Sequence, residues 1–256
     1  MSLRSRIAPT PSGYLHLGNL ANFLLIEKLV SEVGGSLFLR IDDCDGTRAR
    51  PEFVDHIFET LRWLGVTWHE GPRDADEFYL RFSQTNRKEH YFRKLESLRG
   101  RTYACDCSRK DVGAVYPGTC RDRGIAFLPG RTALRVRVDD PRLAARFGDA
   151  VLWRKDDGPA YHWASVVDDL EGRVNLIVRG DDLRDSTELQ KYLAALVAPG
   201  GFDGVRFVHH PLLTDDAGNK LSKSQDSLSV RQWIAAGKSA QELRAKLAPV
   251  IAGWRL

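Results

Sequence analysis

Ser5-Arg6-Ile7-Ala8-Pro9-Thr10-Pro11-Ser12-Gly13-Tyr14-Leu15-His16-Leu17-Gly18-Asn19-Leu20 passes from a short apolar strand into a helix through a turn of prolines, glycines and a histidine. Pro9 and Pro11 break the strand, and Gly13 and Gly18 frame the turn. Beyond it Leu20, Phe23, Leu24, Leu29, Val30 and Val33 recur at helical spacing, which predicts a helix over 20–33 closed by Gly34-Gly35. Residues 37–41, Leu-Phe-Leu-Arg-Ile, read as a second strand covered on both faces. Pro51 then opens a helix with Phe53, Ile57, Leu61 and Leu64 on one side. Strand, helix, strand, helix in this order predicts a doubly wound α/β fold with a parallel sheet.

Farther along, a charged helix is predicted over 76–98. Residues 99–150 change character: they hold three cysteines, many arginines and strand-like pieces such as 133–138, and read as an insertion. The α/β signal resumes at 161–169 and 174–178, with a helix over 186–196 capped by Ser186 or Thr187. Residues 207–213 lead into a polar loop, and the last thirty or so residues read as helical. The predicted organisation is therefore 1–98 and 151–225 as two halves of one catalytic domain, 99–150 as the insertion, and 226–256 as a helical C-terminal segment.

The chain has 256 residues, 43% of them hydrophobic, enough for a substantial core. A net charge of +4 permits a nucleic-acid partner without demanding one. No apolar run reaches the roughly 18 residues of a membrane span, and the N-terminus enters a strand directly. No membrane association and a cytoplasmic location are expected. Of four cysteines, Cys105, Cys107 and Cys120 are crowded together, a spacing that suits a metal in a reducing compartment better than a disulfide framework. Cys44 is remote and reads as an ordinary half-buried thiol.

Two segments offer to hold phosphate. His16 and Asn19 fall at the first turn of a helix, where free N–H groups and the helix dipole attract an anion, and Gly13 and Gly18 let a ligand approach the backbone. A histidine there is read equally well as a helix cap. The second segment is Lys220-Leu221-Ser222-Lys223-Ser224, with two lysines and two hydroxyls. Two separated grips suit one triphosphate held from both sides.

In this order the segments resemble the two signatures of class I aminoacyl-tRNA synthetases. Arg6-Ile7-Ala8-Pro9-Thr10-Pro11-Ser12-Gly13 with His16-Leu17-Gly18, the stretch Leu39-Arg40-Ile41-Asp42-Asp43-Cys44-Asp45, and Leu61-Arg62-Trp63-Leu64-Gly65 resemble glutamyl-tRNA synthetases. Cys105-Asp106-Cys107-Ser108-Arg109, Tyr116-Pro117-Gly118-Thr119-Cys120-Arg121 and the run from Arg179 to Thr187 resemble a shorter branch, the glutamyl-queuosine tRNA(Asp) synthetases. The resemblance runs from Arg6 to about Gln225.

It implies a Rossmann-type parallel sheet with a zinc-binding insertion and no anticodon-binding domain, in keeping with a chain that stops about thirty residues after Ser224. It implies activation of glutamate by ATP with Mg²⁺, then transfer to queuosine in the anticodon of tRNA(Asp), by a monomer. His16, Lys220 and Lys223 would be catalytic. Pro11, Gly13, His16, Gly18, Asn19 and Lys223 would hold ATP, and Arg6, Ala8, Thr10, Asp42, Tyr161 and Arg179 would hold glutamate. Asp42 stands where the family carries glutamate, one methylene longer, to meet the substrate ammonium. Cys105, Cys107, Cys120 and Tyr116 would bind structural zinc, with Asp106 and Asp111 as alternatives to the tyrosine. Rival readings are a ligase that passes an aminoacyl group to a small molecule or carrier protein, and an inactive paralogue that only binds tRNA.

Overall fold

The computed structural model describes residues 2–44, 49–212 and 230–256. The first part of the chain forms β1 (Arg4–Ile7), α1 (Leu17–Glu32), β2 (Ser36–Leu39), α2 (Pro51–Leu64), α3 (Ala75–Glu77), a π-helical turn (Phe78–Phe82) and α4 (Lys88–Lys94). The middle forms β3 (Thr102–Cys105), α5 (Arg109–Val112), β4 (Ala133–Val136), α6 (Pro141–Phe147), β5 (Val151–Trp153) and α7 (Tyr161–Glu171). The last part forms β6 (Leu176–Gly180), α8 (Arg184–Val197), β7 (Arg206–His210), α9 (Val230–Ala235) and α10 (Ala240–Ala252).

The chain divides into two compact units. The first contains Met1–Ser83, Arg173–Arg184 and Gly204–Leu256. Its sheet is parallel throughout, in the order β2-β1-β6-β7. Ile7 pairs with Leu39, Ser5 with Leu176, and Arg179 with His209. Ile7, Leu37, Leu39, Leu176, Ile177 and Val178 are all buried, as two-sided cover of a parallel sheet requires. Ser5 is tolerated there because its hydroxyl donates to Leu176 O at 2.8 Å.

Helix α1 begins at Leu17, three residues before the first residue of its apolar pattern, and buries Leu20, Phe23, Leu24, Leu25, Ile26, Leu29 and Val30. A helix apolar on so much of its circumference belongs inside a core. Helix α2 starts on Pro51, buries Val54, Ile57, Phe58, Leu61 and Leu64, and closes on Gly65 in the left-handed conformation. Leu243 and Leu247 of α10 join the same core, and Arg244 donates to Leu64 O at 2.8 Å. Cys44 is more enclosed than its sequence context suggested, at 8% exposure.

The second unit contains Gln84–Gly172 and Asp185–Asp203, so it includes the 99–150 segment and reaches past it on both sides. Its sheet is antiparallel, in the order β3-β4-β5. Asp168 of α7 ties it together. Its carboxylate accepts from Tyr91 Oη at 2.9 Å, Arg87 at 2.6 Å and Gln84 at 2.8 Å. Residues 161–171 are helical throughout.

The single helix predicted over 76–98 is broken instead. Ser83 N–H reaches back to Phe78 O, five residues away, and Ser83 Oγ donates to Asp43. These bonds draw the backbone out of α geometry between Phe78 and Ser83, a local interruption typical of π turns. Helix α8 starts two residues earlier than predicted, at Arg184.

Gly71 shows how closely the first unit is threaded. Its φ is +105°, and a Cβ there would lie 2.2 Å from Leu39 O. Gly65, at φ +71°, has nothing within 4 Å of that position. Gly65→Ala is expected to cost about 1–2 kcal/mol, the ordinary penalty of the left-handed region. Gly71→Ala is expected to cost more, because the β2 backbone must also move. Urea midpoints of the two variants check this; equal losses would contradict the close approach.

Candidate functional site

In the four-stranded sheet the chain order reverses beside β1: β2 lies on one side and β6 on the other. In open α/β sheets that crevice, beyond the carboxyl ends of the strands, is where ligands bind. The turn from Ala8 to His16 leaves β1 at this place. Ser12 N–H donates to Thr10 O at 2.9 Å, and Arg50 N–H to the carbonyl of buried Pro11 at 3.4 Å. At Gly13 a Cβ would meet nothing within 4 Å, so space lies open beside the backbone.

His16 is the N-cap of α1, with extended backbone. Its Nδ1 accepts from Gly18 N–H at 3.1 Å, and Asn19 Oδ1 accepts from His16 N–H at 3.1 Å. The capping and phosphate readings of His16 are thus compatible, and the cap has a chemical consequence. A ring nitrogen that accepts carries no proton, so in the neutral imidazole the N–H sits on Nε2. Gly18 makes the arrangement possible: a Cβ there would stand 3.0 Å from His16 Cε1 and 3.1 Å from Nδ1.

Lys220, Ser222, Lys223 and Ser224 lie outside the described residues. The residues on either side of that stretch are both tied to the first signature. His210 Nε2 lies 3.1 Å from Asn22 Oδ1 on α1. Val230 N–H donates to Leu15 O at 3.2 Å, and Arg231 donates to Tyr14 Oη at 2.8 Å.

Among the expected glutamate ligands, Arg6, Asp42 and Arg179 are buried side chains of the first unit. Arg6 stands on β1 and Arg179 on the neighbouring β6, with the Arg179 guanidinium 5.4 Å from the Phe207 ring centroid. Asp42 N–H donates to Pro9 O at 2.9 Å, which brings the segment after β2 against the turn that carries half-buried Ala8 and exposed Thr10. Tyr161 opens α7 in the second unit and is half-buried. Sequence reasoning missed Arg40. Its Nε donates to Asp42 Oδ1 at 2.5 Å and its Nη2 to Oδ2 at 3.1 Å, both groups being buried. Asp42 is therefore held in a guanidinium fork, which fixes its direction and offsets its charge. The available signal was the i, i+2 spacing, which puts two extended-chain side chains on one face.

In the second unit the sulfurs of Cys105, Cys107 and Cys120 lie within 4.8 Å of one another. Cys107 Sγ is 3.4 Å from Cys120 Sγ, and Tyr116 Oη is 3.6 Å from Cys105 Sγ. Metal–sulfur bonds of about 2.3 Å and a metal–oxygen bond of about 2.0 Å at tetrahedral angles give S···S of about 3.8 Å and S···O of about 3.5 Å. The three sulfurs lie close enough to share one metal ion, and Tyr116 Oη stands at a ligand-like separation from Cys105 Sγ. Of the alternatives, Asp111 is engaged in capping α5, accepting from Ser108 N–H and Oγ at 2.7 Å. Asp106 Oδ1 stays close, 3.2 Å from Cys120 Sγ, and pairs with Arg123 at 3.2 Å.

The charges of this cluster are divided. Burial pushes the Cys105 thiol up, but hydrogen bonds from Arg135 and Tyr116 outweigh it and hold the thiol below its ordinary value. Burial and its sulfur neighbours push Cys107 up to about 12, and burial raises Tyr116 as well. Without a cation, several adjacent sulfurs cannot all ionise. A bound metal reverses this by replacing their protons. Cys120 N–H donates to Tyr116 Oη at 2.7 Å. Behind the tyrosine, Tyr103 donates to Asp149, which Arg121 grips at 2.6 and 2.8 Å. Burial alone would raise Asp149, yet Arg121, Tyr103 and Val138 N–H hold it low.

No helix among the described residues is long and apolar enough to cross a membrane. Residues 2–114 and 133–248 match the family "tRNA synthetases class I (E and Q), catalytic domain". A glutamyl-Q tRNA(Asp) synthetase of Nitratidesulfovibrio vulgaris is 36% identical over 96% of this chain and 85% of its own length. One from a Synechococcus species is 38% identical over 96% and 82%. The fold is similar to the crystal structure of a glutamate-tRNA synthetase from Elizabethkingia anophelis, at TM-score 0.68 and 22% identity, covering 93% of this chain. This chain spans about half of that one, 54%.

Purified protein is expected to carry one metal ion per chain by elemental analysis. Cys120→Ser is expected to lose it and to make the 99–150 segment protease-sensitive, since a structural metal contributes directly to folding. A metal-free but protease-resistant wild type would refute the assignment.

Proposed function

This chain belongs to the class I tRNA synthetases (E and Q), which are ATP-dependent ligases, and we propose that it activates glutamate with ATP and passes the glutamyl group to queuosine in the anticodon of tRNA(Asp). The observation that carries the reading is the His16 cap at the reversal point of a parallel sheet. The choice of acceptor rests on the name shared by relatives matched over nearly the whole chain.

In the proposed reaction the α-carboxylate of glutamate attacks the α-phosphate of ATP. The P–O bond to the leaving group breaks, giving glutamyl adenylate and pyrophosphate. No protein nucleophile is needed; the site orients two substrates and stabilises developing charge. His16 Nε2–H donates to phosphate oxygens, aided by the first-turn N–H groups of α1. Pro11, Gly13, Gly18 and Asn19 shape the approach of the nucleotide, which arrives with Mg²⁺. Lys223, assisted by Lys220, meets the charge on the pentavalent phosphate.

Arg6 and Arg179 take glutamate carboxylates, with Ala8 and Thr10 completing the amino-acid site of the first unit. Asp42 meets the ammonium. Because Arg40 shares its charge, that contact is weaker than a lone carboxylate would give. Zn²⁺ is held by Cys105, Cys107, Cys120 and Tyr116 and braces the second unit. A hydroxyl of the queuosine cyclopentene ring then attacks the adenylate carbonyl, releasing AMP.

Gly18→Ala pushes against the His16 ring and misdirects its donor. It is expected to lower glutamate-dependent ATP–pyrophosphate exchange by on the order of 100-fold, the usual cost of one misplaced charge-stabilising donor. Its circular dichroism is expected to stay unchanged. Near-wild-type exchange would remove His16 from catalysis.

The acceptor is tested with radiolabelled glutamate and two tRNA preparations, from cells that make queuosine and from cells that cannot. Label is expected only on the first. Equal labelling of both would rule out the modified base.

A further inference from the structure

We propose that Arg135 is the internal counter-charge of the metal centre, the buried cation that offsets the excess negative charge of its ligands. The inference rests on the reading that Cys105, Cys107, Cys120 and Tyr116 bind zinc. Three thiolates and a phenolate around a dication leave two negative charges in excess. Such an excess is costly to bury unless cations lie against it.

Arg135 lies on β4 and is 7% exposed. Its guanidinium carbon stands 3.8 Å from the centroid of the Tyr116 ring. Its Nη1 donates to the main-chain oxygen of Asp149 at 2.7 Å, which anchors the group beside that ring. The Asp149 carboxylate is committed elsewhere, to Arg121, Tyr103 and Val138 N–H. Arg135 Nε is buried without a hydrogen-bond partner.

Arg135 is thus a buried cation bonded to the main chain of Asp149 and not to its carboxylate, set against a phenol and the Cys105 thiol. Buried charges need partners, and the acidic groups that remain beside this one are the proposed ligands. The second excess charge has its own candidate at the rim. Arg123 lies 3.8 Å from Cys120 Sγ, is half exposed, and shares its charge with Asp106 at 3.2 Å. The bond from Cys120 N–H to Tyr116 Oη supports an anionic oxygen from the other side. Groups that touch metal ligands without binding the metal commonly change affinity 10- to 100-fold when removed.

The test is zinc affinity of the intact protein, by competition with a chromophoric chelator, in R135Q, R135M, R135K and Y116F. The two neutral variants differ in shape, so one that fails to fold leaves the other to decide. R135Q or R135M is expected to bind zinc 10- to 100-fold more weakly than wild type. R135K is expected to fall nearer to wild type, because the charge is kept. In a Y116F background, R135Q is expected to have a smaller effect, because the phenolate it offsets is gone.

A folded neutral variant with wild-type affinity would overturn the proposal. So would R135K as weak as R135Q, or an R135Q effect undiminished by Y116F, since either means that Arg135 only packs. Absence of zinc from wild type would instead overturn the metal reading beneath it, so the two failures are distinguishable.

Discussion

The hydrogen bond from Gly18 N–H to His16 Nδ1 is the contact on which the first unit's site depends. It does two jobs with one nitrogen. It satisfies a donor that the start of a helix leaves unpaired, and it fixes the proton of the imidazole on the other nitrogen. The helix that presents this ring is buried around most of its circumference, so it cannot rotate to relax the geometry. The residues bracketing the second signature are bonded to the same helix and turn, through Asn22, Leu15 and Tyr14. Groups from distant parts of the chain thus meet on the same turn and helix that carry the cap.

Two buried carboxylates organise the polar contacts of the second unit. Asp168 collects an arginine, a tyrosine and a glutamine, and Asp149 collects an arginine, a tyrosine and a backbone N–H. Buried carboxylates with every partner in place specify one arrangement of their neighbours, whereas apolar contacts tolerate sliding. That suits a metal centre, whose ligands must meet at fixed separations. It also explains the placement of the cysteine pair at the end of β3, whose register against β4 is set by paired strand residues and not by a flexible loop.

Much of the first unit could be read from sequence because its signals are local. Alternating β and α periodicity gave β1, α1, β2 and α2, and the cap at His16 was one of two readings that the turn before it allowed. The interrupted 76–98 helix could not be read in the same way. Its break is set by Ser83 reaching Asp43, forty positions away, and helical periodicity carries no record of such a bond. The cysteine cluster was legible from spacing alone. Arg135 was not, since Arg135 and Arg137 alternate along a strand as exposed charges would, and only the folded β4 shows that one of them is buried. Arg40 was hidden for a related reason: beside Asp42 and Asp43 it looks like one charge among many until the fork is seen.

The first unit is assembled from three separate stretches of chain, and its middle strand pair, β1 with β6, joins Ser5 to Leu176. Its core is completed by Val230 and Trp233 of α9 and by Leu243 and Leu247 of α10. During synthesis the N-terminal strand and helix must therefore wait, exposed, while the second unit is made. All of the second unit, through Asp203, leaves the ribosome before α10 does. The second unit is thus complete in sequence before the first, the reverse of the usual order in which the N-terminal domain is finished first. Contacts so distant in sequence are slow to form, so the apolar face of α1 is the surface most in need of shielding in the newborn chain.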